Sequence, residues 1–146
     1  EKGAEQAQAF YDQWKEDRLV IDKWFALQVA FAQPEKAAIV AKSLTQHEDF
    51  NWKNPNRFRA VFGSLAGNMA GFHHLSGQGY ELMVKWLSRL DKINPQTTAR
   101  MCGAFKTWRQ FDKGRQAMLK PLLQTMLEME GLSRDSREML SRIVND

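Results

Sequence analysis

Two polar side chains four residues apart, Gln96 and Arg100 in the stretch NPQTTARM (94–101), are the residues best arranged to do chemistry. On a helix this spacing puts both on one face, turned away from Thr97, Met101 and Phe105. If that face lines a cavity, the Arg100 guanidinium can hold a carboxylate or a peptide carbonyl, and the Gln96 amide can hydrogen-bond a backbone. If it meets bulk water, the pair is simply a solvated surface. Arg59, in the earlier stretch NPNRFRAV (54–61), has a similar first-turn position that could present it nearby.

Other reactive residue types fall short of a site. His47-Glu48 opens like the zincin signature H-E-x-x-H, in which two His one helical turn apart bind zinc. The second His would stand at 51, and that residue is Asn51. His73 and His74 are adjacent, so on a helix they point roughly 100° apart and do not converge on one metal. The histidines therefore read as structural or surface residues, and no metal site is expected within the chain. GQGY at 77–80 lacks the third glycine, the lysine and the preceding strand of a phosphate loop, and reads as a turn before a helix. Cys102, beside Met101 and Phe105 and with no His in helical reach, reads as a small packed residue. Trp108, Arg109, Arg115 and Lys120 would offer stacking plus charge to nucleic acid, but Asp112 and Glu128 interrupt that surface.

The elements that must position these residues are helical throughout. Apolar stripes with helical spacing run through Phe10, Trp14 and Leu19, then Val20, Trp24, Leu27 and Phe31. Pro34 is expected to open a helix through Ile39, Val40 and Leu44. Phe58, Val61, Phe62 and Leu65 share a face, as do Thr97, Met101, Ala104, Phe105 and Trp108. Tyr80, Val84, Leu87 and Leu90 make another stripe, and Met118, Leu122, Met126 and Met129 a further one. Ser133 is placed to cap the last helix, with Leu140 and Ile143 inward. Gly63, Gly67 and Gly71 stand four apart and suggest close helix packing.

Asn-Pro is a helix-start signal, because Asn can cap a free amide and Pro at the first helical position gives up only an N–H that lacked a partner. Asn54, Pro55 and Gly63 recur as Asn94, Pro95 and Gly103 at an offset of 40 residues, and the start at Ser133 follows 39 residues after Asn94. Periods near forty are those of paired-helix solenoids. The expected fold is therefore all-α, with stacked antiparallel helix pairs in a HEAT/armadillo-like α-solenoid, as one domain over residues 1–146.

With 43% apolar residues the chain can bury a core. A net charge of +4 is modest, and the basic residues are interleaved with carboxylates rather than massed, so neither nucleic acid nor a membrane is an expected partner. The longest uncharged run, Ala60–Tyr80, holds five glycines and two histidines and does not read as a membrane span. A lone cysteine fits a reducing, cytoplasmic compartment. The first residue, Glu1, is not Met and no signal or transit pattern follows it, which suggests processing or a piece of a longer polypeptide.

The run HEDFNWKNPNRFRAVFGSLAGNMAGFHHLSGQGYELMVKWLSRLDKINPQTTARM (47–101) resembles the C-terminal helical domain of bacterial aminopeptidase N, a zinc metallo-aminopeptidase family of the gluzincin type. So do WFALQVA (24–30), FDKGRQAMLKPLL (111–123) and GLSRD (131–135). The carrying pattern is His47, Phe50, Asn54–Arg57 and Arg59, then Phe72, His73, Gly77, Gly79 and Tyr80, then Leu90, Asp91, Asn94–Gln96, Ala99 and Arg100. Thr97 and Thr98 stand where Val and Ala would be expected, between the two polar positions.

The resemblance implies a larger zinc-dependent hydrolase whose ligands and general base lie outside these residues, the chain itself binding no cofactor. It implies that the helical tail closes over the catalytic domain of the same polypeptide and encloses a chamber for peptide substrates. It further implies that Gln96 and Arg100 face that chamber, and that Arg59 lies on the same wall. Broad removal of N-terminal residues, of the Ala and Arg type, is the expected activity. The alternative is a stand-alone helical-repeat protein-interaction module.

Overall fold

Asn54 and Asn94 start helices as their context predicts. Asn54 Oδ1 accepts from the amides of Asn56 (2.9 Å) and Arg57 (3.4 Å), and Asn94 Oδ1 accepts from the Thr97 amide (3.1 Å). In both cases Pro takes the first helical position. The computed structural model describes residues 2–15 and 17–145. Among them the chain forms α1 (Lys2–Trp14), α2 (Arg18–Ala30), α3 (Ala37–Thr45), α4 (Pro55–Gly67), α5 (Met69–Phe72), α6 (Gln78–Leu90), α7 (Pro95–Met101), α8 (Lys113–Leu127) and α9 (Arg134–Asn145). Two 3₁₀ turns, Cys102–Phe105 and Trp108–Gln110, lie between α7 and α8, and no strand occurs among the described residues.

The helices stack in two rows. In one, α2 lies on α4 and α7 on α9; in the other, α3 leads to α6 and α6 to α8. This is the expected all-α stack of helix pairs, because each amphipathic helix buries its stripe only against its neighbours. The stripes at Phe58, Val61, Phe62 and Leu65 and at Tyr80, Val84, Leu87 and Leu90 are buried, as are Leu140 and Ile143. Aromatic rings bridge successive units: Phe50 meets Phe25, Phe62 and Trp86 at 6.2, 6.3 and 5.7 Å between centroids. Farther along, Phe72 meets Tyr80 and Phe105 at 5.4 and 5.7 Å.

Several stripes turn differently from expectation. On α2 the buried set is Ile21, Trp24, Phe25 and Val29, while Leu19 and Phe31 are 79% and 81% exposed and Leu27, Phe10 and Trp14 are also exposed. Asp17 caps α2 through the amides of Leu19 and Val20 and separates it from α1, so no continuous stripe joins the two helices. α2 is apolar on more than one side, and α4 selects which side turns inward. The α8 stripe is likewise rotated by one residue, with Leu119, Leu123 and Met126 buried and Met118, Leu122 and Met129 half-buried. The third helix begins at Ala37, three residues after Pro34, and leaves Ile39 exposed.

The glycines divide in the same way. Gly63 and Gly67 are exposed, with no close neighbour where a Cβ would stand, and only Gly71 of that series packs tightly, against Ala37. GQGY is a turn: Gly77 adopts φ +76° at the start of α6, and a Cβ on Gly79 would lie 2.4 Å from the Phe72 carbonyl oxygen.

All three histidines are structural. His47 Nδ1 accepts from the Asp49 amide (3.0 Å), and His74 Nδ1 from the Ser76 amide (3.2 Å). His73 is buried, with Nδ1 2.7 Å from the Tyr80 hydroxyl and its ring stacked on Phe111 at 3.9 Å. Burial, helped by the nearby Arg115, holds His73 below its ordinary value of 6.5. Burial pushes the Tyr80 hydroxyl up to about 12.

Gly79→Ala should destabilise the chain by about 1–3 kcal/mol through overpacking, whereas Gly63→Ala, in an open helical position, should stabilise it by about 0.5–1 kcal/mol. Urea denaturation measures both, and equal effects would refute the close approach at Gly79. Because folded His73 binds its proton more weakly than the unfolded chain does, stability is complete above pH 6.5 and falls as pH drops from 6.5 toward the lowered folded value. His73→Phe should flatten that part of the stability-against-pH curve; an unchanged slope would show that His73 is not its source.

Candidate functional site

The site builds up from a buried carboxylate. Asp91, at the end of α6, is 2% exposed. Its Oδ1 accepts from the hydroxyls of Ser133 and Ser136, both at 2.6 Å, and its Oδ2 from the Ser133 amide at 2.8 Å. Ser133 Oγ in turn accepts from the Ser136 amide (3.2 Å), which is the cap expected of it. A carboxylate at the N-terminal end of α9 is favoured by the unpaired amides and the helix dipole there. Asp91 thus joins the end of α6 to the start of α9, and α7 is mounted on both helices.

α7 then presents its two faces. Thr97 and Thr98 are buried, and Thr98 Oγ1 donates to the Asn94 carbonyl (2.9 Å). Cys102 is fully buried just beyond, and burial pushes its thiol up to about 12, so it is a packed and unreactive residue. Gln96 and Arg100 are exposed on the opposite side, and among the described residues no hydrogen bond or ion pair occupies either side chain. Thr97 and Thr98 thus lie on the inner face, away from the polar pair.

Arg59 projects from α4 into solvent, with Nη2 2.7 Å from Asn56 Oδ1. α4 makes its main contacts with α2, α3 and α5, and α7 makes its own with α6 and α9. Gln96 and Arg100 therefore form one group and Arg59 projects from another repeat unit. Its neighbour Arg57 has a different use. Arg57 is buried, with Nε 2.5 Å from Asp22 Oδ1 and Nη1 donating to the Asp49 carbonyl. The Asp49 carboxylate accepts from the Tyr11 hydroxyl, which that bond raises to about 12. Neither Arg57 nor Asp91 is marked as structural by its local sequence. The signal available for Asp91 was a lone acid directly after the α6 stripe, but its partners lie 42 and 45 residues away.

The cationic-aromatic set near Trp108 is also structural. Trp108 is 4% exposed and its Nε1 donates to the Ile143 carbonyl (2.8 Å). Arg109 donates to the Val144 carbonyl, and Arg115 to the His73 carbonyl and the Asp112 carboxylate. Trp108 is core, not a stacking platform. Among the described residues no three His, Cys, Asp or Glu stand together in a way that could hold a metal ion, so the donors do not fit a zinc site. None of the described helices is long and apolar enough to cross a membrane.

Stacked helix pairs with Asn-Pro starts define a helical-repeat protein, and the chain belongs to a family described as a domain of unknown function (DUF3458_C) with ARM repeats, matched over residues 1–145. Within that class it is homologous to the C-terminal portion of aminopeptidase N. It is 38% identical over 134 residues to aminopeptidase N of Haemophilus influenzae, covering 91% of this chain and 15% of that protein. Against aminopeptidase N of Escherichia coli it is 35% identical over 136 residues, covering 92% of this chain and 16% of that protein. A crystal structure of Legionella pneumophila aminopeptidase A in complex with aspartic acid superposes with a TM-score of 0.87 at 33% identity, over 95% of this chain and 16% of that one. The chain thus spans about one sixth of the length of these relatives.

Replacing Asp91 with Ala should cost about 3 kcal/mol, because it strands buried donors around Ser133 and Ser136. Urea denaturation is the measurement. A variant within about 0.5 kcal/mol of wild type, the scale of an ordinary surface change, would remove Asp91 as the anchor of α9.

Proposed function

We propose that this chain serves, as one helical-repeat domain over residues 1–146, as the C-terminal part of a cytoplasmic zinc aminopeptidase. In this reading the domain closes the chamber over a catalytic domain of the same polypeptide, and the enzyme removes N-terminal residues broadly, Ala and Arg among them. Zinc would supply the activation of water, held by ligands outside these residues. This chain would supply walls and orientation.

The observation that carries the reading is the homology to aminopeptidases across more than nine-tenths of the chain. The local geometry agrees with it: Gln96 and Arg100 share the exposed face of a capped helix whose other face is pinned. A fixed guanidinium can take a peptide carbonyl or carboxylate, and an amide can bond the peptide backbone without altering the reacting atoms. Arg59 serves the same wall from α4, at a different distance along the peptide. These are positioning residues, and none of them moves a proton or a bond.

Arg100→Ala in the full polypeptide should lower kcat/KM on peptides by about tenfold or more, the scale of one charge-assisted hydrogen bond. Bound zinc, measured by elemental analysis, should be unchanged. If short and longer peptides are cleaved with wild-type kinetics, the positioning role is wrong.

A further inference from the structure

Arg89, in the last turn of α6, is held unlike the arginines that carry the fold. Its guanidinium lies 4.5 Å from the centroid of the Trp52 ring and 4.9 Å from that of Trp86. The two indoles meet edge to face at 6.1 Å, and Lys53 adds a second cation 5.9 Å from the Trp52 ring. Trp86 is buried and Trp52 half-buried, so the platform is fixed, while Arg89 itself is exposed. Among the described residues no carboxylate pairs with Arg89; the ion pairs use Arg57, Arg115 and Arg134.

A guanidinium held over an indole ring makes no hydrogen bond there, and among the described residues nothing accepts from the edge N–H groups of Arg89. That edge matches the two oxygens of a carboxylate. Contact with two rings also restricts the side chain before any ligand arrives, which lowers the ordering cost of binding. The position matters as much as the geometry. Trp52 lies two residues before Asn54, the cap of the helix that carries Arg59. Arg89 lies one residue before α6 ends, and the chain then passes through Asp91 and Asn94 into the helix that carries Gln96 and Arg100. The Trp52–Arg89 contact therefore ties together the two segments that feed both Asn-Pro helices.

We propose that Arg89, seated on Trp52 and Trp86, is an anion subsite that takes a carboxylate of a bound peptide. This rests on the aminopeptidase reading and adds to it a preference among substrates. The carboxylate can be the peptide's own C-terminus or an acidic side chain, and the substrates separate the two.

In the intact enzyme, kcat/KM is measured for alanine-based peptides of increasing length, each as free acid and as C-terminal amide, with a parallel amide series carrying one Glu. Wild type should favour a carboxylate-bearing peptide over its neutral counterpart at one or more lengths. Arg89→Gln should reduce that preference about tenfold, mainly through KM, and Arg89→Lys should keep part of it. An effect on free acids identifies the C-terminus as the ligand; an effect on Glu-bearing amides identifies the side chain. Equal losses on charged and neutral peptides, or an unaltered ratio at every length, overturn the proposal and leave Arg89 as a cover for Trp52. So does affinity for a single-stranded oligonucleotide that Arg89→Gln abolishes while the peptide ratio stands. If wild type cleaves no peptide, the aminopeptidase reading fails instead. Tryptophan fluorescence titration with an N-acetylated peptide acid and its amide then decides the subsite alone: tighter acid binding that Arg89→Gln removes supports it, and equal binding overturns it.

Discussion

The Asp91 carboxylate sits out of reach of water, with no cation paired to it among the described residues, and the C-terminal half of the chain depends on how that charge is satisfied. Burying a carboxylate is tolerable only when donors replace its hydration. Here two serine hydroxyls and one amide do so, all from the start of α9. The charge consequently fixes α9 against the end of α6, and α7 is clamped between them. With its inner face occupied by Thr97 and Thr98, α7 has no freedom to turn Gln96 and Arg100 anywhere but outward.

The same logic sorts the arginines. Arg57 is buried and takes Asp22 and the Asp49 carbonyl, so it holds the loop before α4 in place. Arg109 and Arg115 close on backbone carbonyls and brace the junction around α8 and α9. Arg89 lies on two indoles, and Arg100 is exposed on α7. A guanidinium that has found a carbonyl or carboxylate within the chain serves the fold, whereas one with its edge uncommitted is available to something else. Residue type and spacing do not distinguish these cases.

Chain packing also disposes of the features that looked most like chemistry. His73 is consumed by Tyr80 and Phe111. GQGY gives α6 a turn and a close approach to Phe72. Trp108 and Arg109 hold the C-terminal helix by its carbonyls. The Tyr80 hydroxyl, Trp108 and Arg109 find partners inside the protein, which lowers the cost of burying them, whereas His73 Nε2 is buried without a hydrogen-bond partner among the described residues.

Local features were legible from residue types and spacing alone. The Asn-Pro starts at 54 and 94, the cap at Ser133, the turn at Gly77 and the buried stripes of α4 and α6 all follow from interactions within one or two turns of chain. The repeat offset was enough to indicate stacked helix pairs. Packing settled which side of α2 and α8 turns inward, because both helices are apolar on more than one side and their neighbours choose. It also decided that Gly71 packs tightly while Gly63 and Gly67 stand open, and that Arg57 is buried while Arg59 is exposed. Those outcomes depend on partners tens of residues away, such as Asp22 for Arg57 and Ser136 for Asp91. No periodicity encodes a contact of that range; it exists only once the helices have stacked.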